Sequence, residues 1–420
     1  LKFSPSVCSA NKRVDEAGMH ALRRNRTVLA ILAGACFIAG IGLAFGLERA
    51  GHPLPPVLAV YSPHVYPPSA LYVDEYQKGI TVASKAAILM DVSTATVLFG
   101  KNEHQRRDPA STTKVMTAIL ALELGRPDDI VTVSSRAAWT QGSSLNLRPG
   151  DRLSLLELTK GVLMCSGNDG SVAIAEHIAG SVNRFAEMMT ARAKQLGAPN
   201  SSFRNPHGLT AVNHYSTAYD LAMMTRHALA YPEFCSAVSA VTDTMTFEDG
   251  RVQQLHNTNR MLWSYPGADG VKTGTTSAAG QCLIASATRD SWQLIAVVMA
   301  GSSRWSDAQR LLEYGFSSFV RKQLAFKGSP VAEVPVAGGR SSKVNAVAET
   351  DLLVTVRKEH EESIELHIEV PDLLTAPVRA GSKLGELVAE IDGIEIGSVN
   401  LIAGETVRRR GLAGMLLDRF

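Results

Sequence analysis

The 420-residue chain predicts an α+β domain over residues 80–322 followed by a small all-β domain over residues 323–405. Three patterns carry that expectation. β-rich runs open and close the first segment with helical periodicities between them, so one sheet should join its two ends. Short alternating runs parted by Gly, Pro and Asp fill the second. Ahead of both stands residues 27–47, about 21 positions without a charge, roughly the length that crosses a bilayer.

Residues 1–26 form a basic head whose Arg23, Arg24 and Arg26 precede the apolar run, an arrangement that sends the rest of the chain across the membrane. From Met19 the order reads as a cleavable signal peptide; with the longer head it reads as a signal anchor, and both export the body. Residues 48–79 carry Pro53, Pro55, Pro56, Pro63, Pro67 and Pro68 with few periodic apolar positions, an extended linker.

The folded part opens near Ile80 with two β-rich runs around a polar turn at residues 91–93. Helical periodicity follows over 110–124, 154–164, 171–179, 184–196 and 218–229. Strands return at 281–288 and 293–300, joined by Arg289-Asp290-Ser291, and a helix over 305–319 closes the unit. The runs VAEVPVAG, DLLVTVRK, SIELHIEV and 384–401 supply the β domain. A tail, 406–420, mixes Arg408, Arg409 and Arg410 with Leu412, Met415, Leu416, Leu417 and Phe420. It reads equally as a membrane-surface segment and as a frayed terminus.

An apolar share of 45% and a charged share of 20% suit a globular core, and a net charge of +2 gives no electrostatic case for nucleic acid. Cys8, Cys36, Cys165, Cys235 and Cys282 show neither C-x-x-C nor Cys/His spacing. We read them as small packing groups and expect no metal or other cofactor.

Chemistry enters with Ser111-Thr112-Thr113-Lys114 at the head of a helical pattern. Acyl transfer from an amide needs an activated nucleophile, a base within reach and donors for the oxyanion. Lys114 lies one helical turn from Ser111 on the same face, and a desolvated lysine can take a serine proton. S-x-x-K alone is weak, since it recurs at Ser9–Lys12, and Ser-x-Asn occurs at residues 144–146, 166–168 and 181–183. The ordered set is far more specific. Ser111/Lys114 comes first; Ser166-Gly167-Asn168 follows in a Gly-containing break between helices. Lys272-Thr273-Gly274 then precedes a strand pair, where its glycine lets a ligand backbone approach.

With Asn205-Pro206-His207-Gly208-Leu209 and Asp269-Gly270-Val271 beside these motifs, residues 80–320 resemble the serine D-alanyl-D-alanine carboxypeptidases of the peptidase S11 type. These are low-molecular-mass penicillin-binding proteins, and the β segment is similar to the C-terminal domain many members carry. The resemblance implies the transpeptidase fold shared with serine β-lactamases, a sheet plus a helical subdomain. Its implied substrate is a peptidoglycan stem peptide ending in D-Ala-D-Ala, with β-lactams as inhibitors. It implies Ser111 as nucleophile, Lys114 as proton acceptor and Ser166 as proton relay. Asn168 would bind the substrate amide, Lys272 and Thr273 the terminal carboxylate, and Arg304 would stand near that carboxylate. Gly274 would allow close approach, with the N–H groups of Ser111 and Thr275 as oxyanion hole. His207 in its Pro/Gly turn, and Asp169 and Glu176 as helix-end and surface charges, read as structural.

Two other readings compete with this one. A serine β-lactamase should show Glu-x-x-Leu-Asn between the second and third motifs; none is found, and an appended β domain is not typical of one. A non-catalytic penicillin-binding scaffold should have lost Ser111 or Lys114, and both are present.

Overall fold

The structure, a computed structural model, describes residues 80–411. The head, the apolar run 27–47, the linker and tail residues 412–420 lie outside the described residues, and with them the anchoring expectations. No helix among the described residues is long and apolar enough to cross a membrane.

The first unit is built on a five-stranded antiparallel sheet. Its strands are β1 (Ala86–Asp91), β2 (Val97–Lys101), β3 (Ala268–Thr276), β4 (Gly280–Arg289) and β5 (Trp292–Gly301), in the order β2-β1-β5-β4-β3. The two ends of the segment do meet, β1 pairing with β5 so that Leu89 stands opposite Ala296. The β4–β5 turn puts Asp290 and Ser291 at φ 47° and 61°, the left-handed pair that a two-residue hairpin requires. Strand β3 is an edge strand, so one of its sides is open.

β1 is apolar from Ala86 to Met90 because both faces are covered. Ile88 and Met90 enter one core with helices α1 (Lys114–Leu124), α2 (Leu155–Cys165), α3 (Asn168–Ala179), α4 (Val182–Gln195) and α5 (Ala218–Ala228). Ala87 and Leu89, on the alternate face, enter a second core with α6 (Arg304–Ser318) through Ala308, Leu311 and Leu312. Ser154 caps α2 by accepting the Glu157 N–H, and Thr217 caps α5 through the Asp220 N–H.

Expected helices and found ones differ by a residue or two at most ends. One difference matters. The helix expected over 171–179 starts at Asn168, which shrinks the break after α2 to the corner Ser166-Gly167. Residues 110–113 are a 3₁₀ turn leading into α1. The helix Pro232–Ser239 and the hairpin Thr242–Thr246/Val252–His256 have no counterpart in the sequence expectations.

Beyond α6 the strands enclose a separate apolar core that includes Val334, Val344, Val354, Leu387 and Leu401. Its longest hairpin, Lys383–Ile391 with Ile394–Ala403, turns on Asp392-Gly393 at positive φ. The arginine run is tied into this body as far as Arg410, whose N–H donates to the Gly338 carbonyl. At the junction with the first unit, buried Asp91 accepts Trp292 Nε1 at 2.7 Å and the Thr355 hydroxyl at 2.6 Å.

Candidate active site

Ser111 sits in the 3₁₀ turn just ahead of α1, behind Ala110 at φ 48°. A non-glycine residue in that region is costly and persists only where its surroundings enforce it. Edge strand β3 lies against this corner. A Cβ at Gly274 would stand 3.0 Å from Ser111 N and 3.1 Å from both Ala110 Cβ and the Pro109 carbonyl oxygen. Only a residue without a side chain lets the strand lie so near the serine N–H.

Lys114 is fully buried at the first turn of α1. Its Nζ lies 3.0 Å from Ser111 Oγ, 2.7 Å from Asn168 Oδ1 and 2.8 Å from the His207 carbonyl oxygen. The Asn168 amide cannot be turned over, because its Nδ2 donates to the Gln141 carbonyl at 2.6 Å. A neutral amine has two N–H donors and one lone pair. Asn168 and His207 take the two hydrogens, so the lone pair faces the Ser111 hydroxyl and can accept its proton. The electrostatics favour that form. Burial foremost, and then the charge of Lys272, hold Lys114 well below the usual lysine range, with Asp169 opposing them.

Lys272, on β3, is also buried and is lowered to about 7, chiefly by desolvation, with Arg304 adding to the effect and Cys165 opposing it. An anion arriving there would restore its full charge. The Thr273 hydroxyl lies 2.9 Å from that of Thr258, a residue with no motif to announce it. Arg304, first residue of α6, donates through Nη1 to the Gly274 carbonyl at 3.0 Å and to Thr275 Oγ1 at 2.9 Å. It therefore flanks the strand on which the carboxylate would lie.

Ser166 occupies the corner between α2 and α3 in a left-handed conformation, φ 66°, and is 5% exposed. Among the described residues no hydrogen bond joins its hydroxyl directly to Ser111 or Lys114.

The His207 imidazole is held down to about 3 by burial and by Lys114, and its backbone carbonyl, not its ring, reaches the lysine. His214 lies beneath the nucleophile's turn. It accepts the Arg204 N–H at Nδ1, so Nε2 carries the hydrogen given to Thr113 Oγ1 at 3.0 Å. The Asn205–Leu209 loop is braced by Asn205 Oδ1, which accepts the Gly208 N–H at 2.7 Å. Asp169 is the expected helix-end charge, in the first turn of α3, and it is fully buried and bonded into a neighbouring loop. Glu176 is partly exposed and accepts the Ser134 hydroxyl.

Among the described residues no cluster of His, Cys, Asp and Glu could hold a metal. What the arrangement offers is a hydroxyl beside an amine whose charged form burial disfavours, with donors along an open strand edge. That equipment serves acyl transfer.

Comparison with known proteins identifies the family. The family described as D-alanyl-D-alanine carboxypeptidase matches residues 73–303, and penicillin-binding protein 5, C-terminal domain, matches residues 319–409. The chain is 36% identical over 342 residues to D-alanyl-D-alanine carboxypeptidase DacF of Bacillus subtilis, spanning 79% of this chain and 88% of that one. It is 34% identical over 364 residues to D-alanyl-D-alanine carboxypeptidase DacA of Haemophilus influenzae, spanning 82% and 91%. Among solved structures, penicillin binding protein 5 from Haemophilus influenzae superposes with a TM-score of 0.70 at 32% identity, covering 79% of this chain and 99% of that one. By family match, by relatives along most of its length and by fold, the chain belongs to the D-alanyl-D-alanine carboxypeptidase family of penicillin-binding proteins.

Proposed function

We propose that the chain is a serine-type carboxypeptidase that removes the terminal D-alanine from peptidoglycan stem pentapeptides through an ester on Ser111. β-Lactams would acylate the same oxygen. The observation that carries the reading is the Lys114 amine, 3.0 Å from Ser111 Oγ, with its hydrogens engaged elsewhere and its charge disfavoured.

The substrate's terminal carboxylate lies against Lys272, Thr273 and Arg304, which sets the scissile carbonyl over Ser111. Ser111 Oγ attacks that carbonyl as its proton passes to Lys114 Nζ. The Ser111 and Thr275 N–H groups receive the developing oxyanion across the gap that Gly274 keeps open. The C–N bond breaks, the leaving amine takes the proton back from Lys114 by way of Ser166, and D-alanine departs with Lys114 neutral again. Water then attacks the ester carbonyl and gives its proton to Lys114; the Ser111 Oγ–C bond breaks, Lys114 returns that proton to Oγ, and the shortened peptide leaves as a carboxylate. A carboxylate beside Lys272 raises that lysine's pKa, so the substrate's own charge secures the ammonium that holds it.

Action outside the cytoplasmic membrane, with attachment to it, is supported by the uncharged run 27–47 behind Arg23, Arg24 and Arg26. The reaction is tested by D-alanine release from a synthetic peptide ending in D-Ala-D-Ala, with wild type beside Ser111→Ala. Release by wild type alone is expected; equal release by both contradicts the mechanism.

A further inference from the structure

The Ser166-Gly167-Asn168 corner runs on into a residue that the reaction scheme leaves unused. Asp169 is fully buried at the second position of α3, directly behind Asn168. A carboxylate there is favoured by the helix N-terminus, yet of α3's own N–H groups it takes only that of Gly170, at 2.9 Å. Its remaining capacity reaches a different segment. It accepts the Leu145 N–H on both oxygens at 2.9 Å, the Leu147 N–H at 3.2 Å and the Ser144 hydroxyl at 2.6 Å.

That segment returns to Asn168. The Ser143 carbonyl accepts the Asn168 N–H at 2.7 Å, and the Gln141 carbonyl accepts its side-chain Nδ2 at 2.6 Å. The fit is close: a Cβ at Gly142 would stand 2.5 Å from Asn168 Nδ2, and one at Gly167 would stand 2.8 Å from Asp169 Oδ1. The loop holds Asn168 from one side while Asp169, one residue on, holds the loop.

We propose that Asp169 is a positioning residue for the reaction: by fixing residues 144–147 it steadies the adjoining 141–143 stretch, whose Ser143 carbonyl holds the Asn168 backbone and whose Gln141 carbonyl aims its side-chain amide at Lys114. It touches no reacting atom and acts through Asn168. The inference rests on the reading of Lys114 as proton acceptor. Asp169 has a second effect on that lysine. The titratable groups facing Lys114 are Lys272 from β3, Asp169 from α3 and His207 from the 205–209 loop, whose imidazole burial keeps neutral; of these Asp169 favours the ammonium form.

The test uses the full chain. Asp169→Asn keeps the shape, removes the charge and leaves too few acceptors for the donors of residues 144–147. It should lower kcat/KM for D-alanine release by about 10- to 100-fold, the scale of a misplaced catalytic group. The acid limb of its pH profile should move to lower pH, because Lys114 loses the carboxylate that favours its protonation. In an Asn168→Ala background the same substitution should cost little, since the residue it acts through is gone. Additive losses with an unmoved limb overturn the proposal.

If Asp169→Asn fails to fold, Ser144→Ala removes one partner from outside. A loss of activity that disappears in the Asn168→Ala background supports the clamp, and wild-type behaviour contradicts it. Hydrogen exchange at the Leu145 and Leu147 amides needs no substrate: faster exchange in either variant supports the clamp, and unchanged protection overturns it. A wild-type chain that releases no D-alanine speaks against the reaction, and the exchange result then decides the clamp separately.

Discussion

Gly274→Ala is the smallest change that should reach the reaction without removing a functional group. The new methyl meets Ser111 N at 3.0 Å and Ala110 Cβ and the Pro109 carbonyl at 3.1 Å, where ordinary contacts begin at 3.4 Å. All three atoms belong to the segment bearing the nucleophile, so that segment must move from β3 by a few tenths of an ångström. The strand has little freedom to yield instead, being paired with β4 at Gly274↔Cys282 and held by Arg304 at the Gly274 carbonyl. Losing one oxyanion donor outright costs about 2.7–4 kcal/mol. Spreading the two donors rather than deleting one should cost roughly half of that, about 1–2 kcal/mol, or on the order of 5- to 30-fold in rate. The loss should fall on kcat and on penicillin acylation, with KM less affected because the carboxylate contacts remain. Steady-state D-alanine release, stopped-flow acylation and thermal unfolding, run together, separate these effects. A folded variant whose acylation rate stays within about twofold of wild type would refute the close approach of strand and serine.

The pH profile of kcat/KM should be bell-shaped: activity needs Lys114 neutral, so it falls toward acid, and Lys272 charged, so it falls as pH rises through about 7. A bound carboxylate keeps Lys272 charged, so kcat should lack that alkaline limb; a limb near 7 in both parameters would contradict the assignment. His214 is held to about 4 by burial, against 6.5 when free, so the unfolded chain binds the proton first and stability falls as pH drops from 6.5 toward 4. The full loss is on the order of 3 kcal/mol, and urea titrations should show a flatter pH dependence for His214→Asn; an equal slope counts against it. Glu123→Gln should cost about 3–5 kcal/mol in urea unfolding. It removes the carboxylate that Arg192, 1% exposed, bonds through Nε and Nη2, while the guanidinium keeps its other contacts, Gln195 Oε1 at 2.9 Å among them; a loss below about 1 kcal/mol would show that the pair is solvated.

Residue types and local spacing made part of this site readable. The hydroxyl and amine of Ser111 and Lys114 are one helical turn apart, so their 3.0 Å contact follows once a helix is expected there. The sheet joining both ends of the segment was legible because its strands are unusually apolar, and the Gly274 approach because glycine before a strand pair has few other uses. What stayed hidden is held by backbone or by distant sequence. The His207 carbonyl that orients Lys114 has no side-chain signature, and its imidazole drew attention instead. Thr258 meets Thr273 only because the chain returns beside α2, where its N–H donates to the Met164 carbonyl. Asp169 resembled an ordinary helix-end charge, since nothing local shows that Leu145 and Leu147 present unpaired N–H groups to it. The left-handed glycines Gly142 and Gly208 were the available hints. A Cβ at Gly208 would fall 1.8 Å from the Ala110 carbonyl oxygen, which marks the loop as packed beneath the nucleophile.

The decisive measurement is to treat the full chain with a penicillin, digest it and locate the added mass by tandem mass spectrometry. The adduct should lie on Ser111, should be absent from Ser111→Ala, and should form more slowly as pH falls and Lys114 gains its proton. An adduct on any other residue, or equal labelling of the alanine variant, would show that this hydroxyl is not the one the buried amine activates.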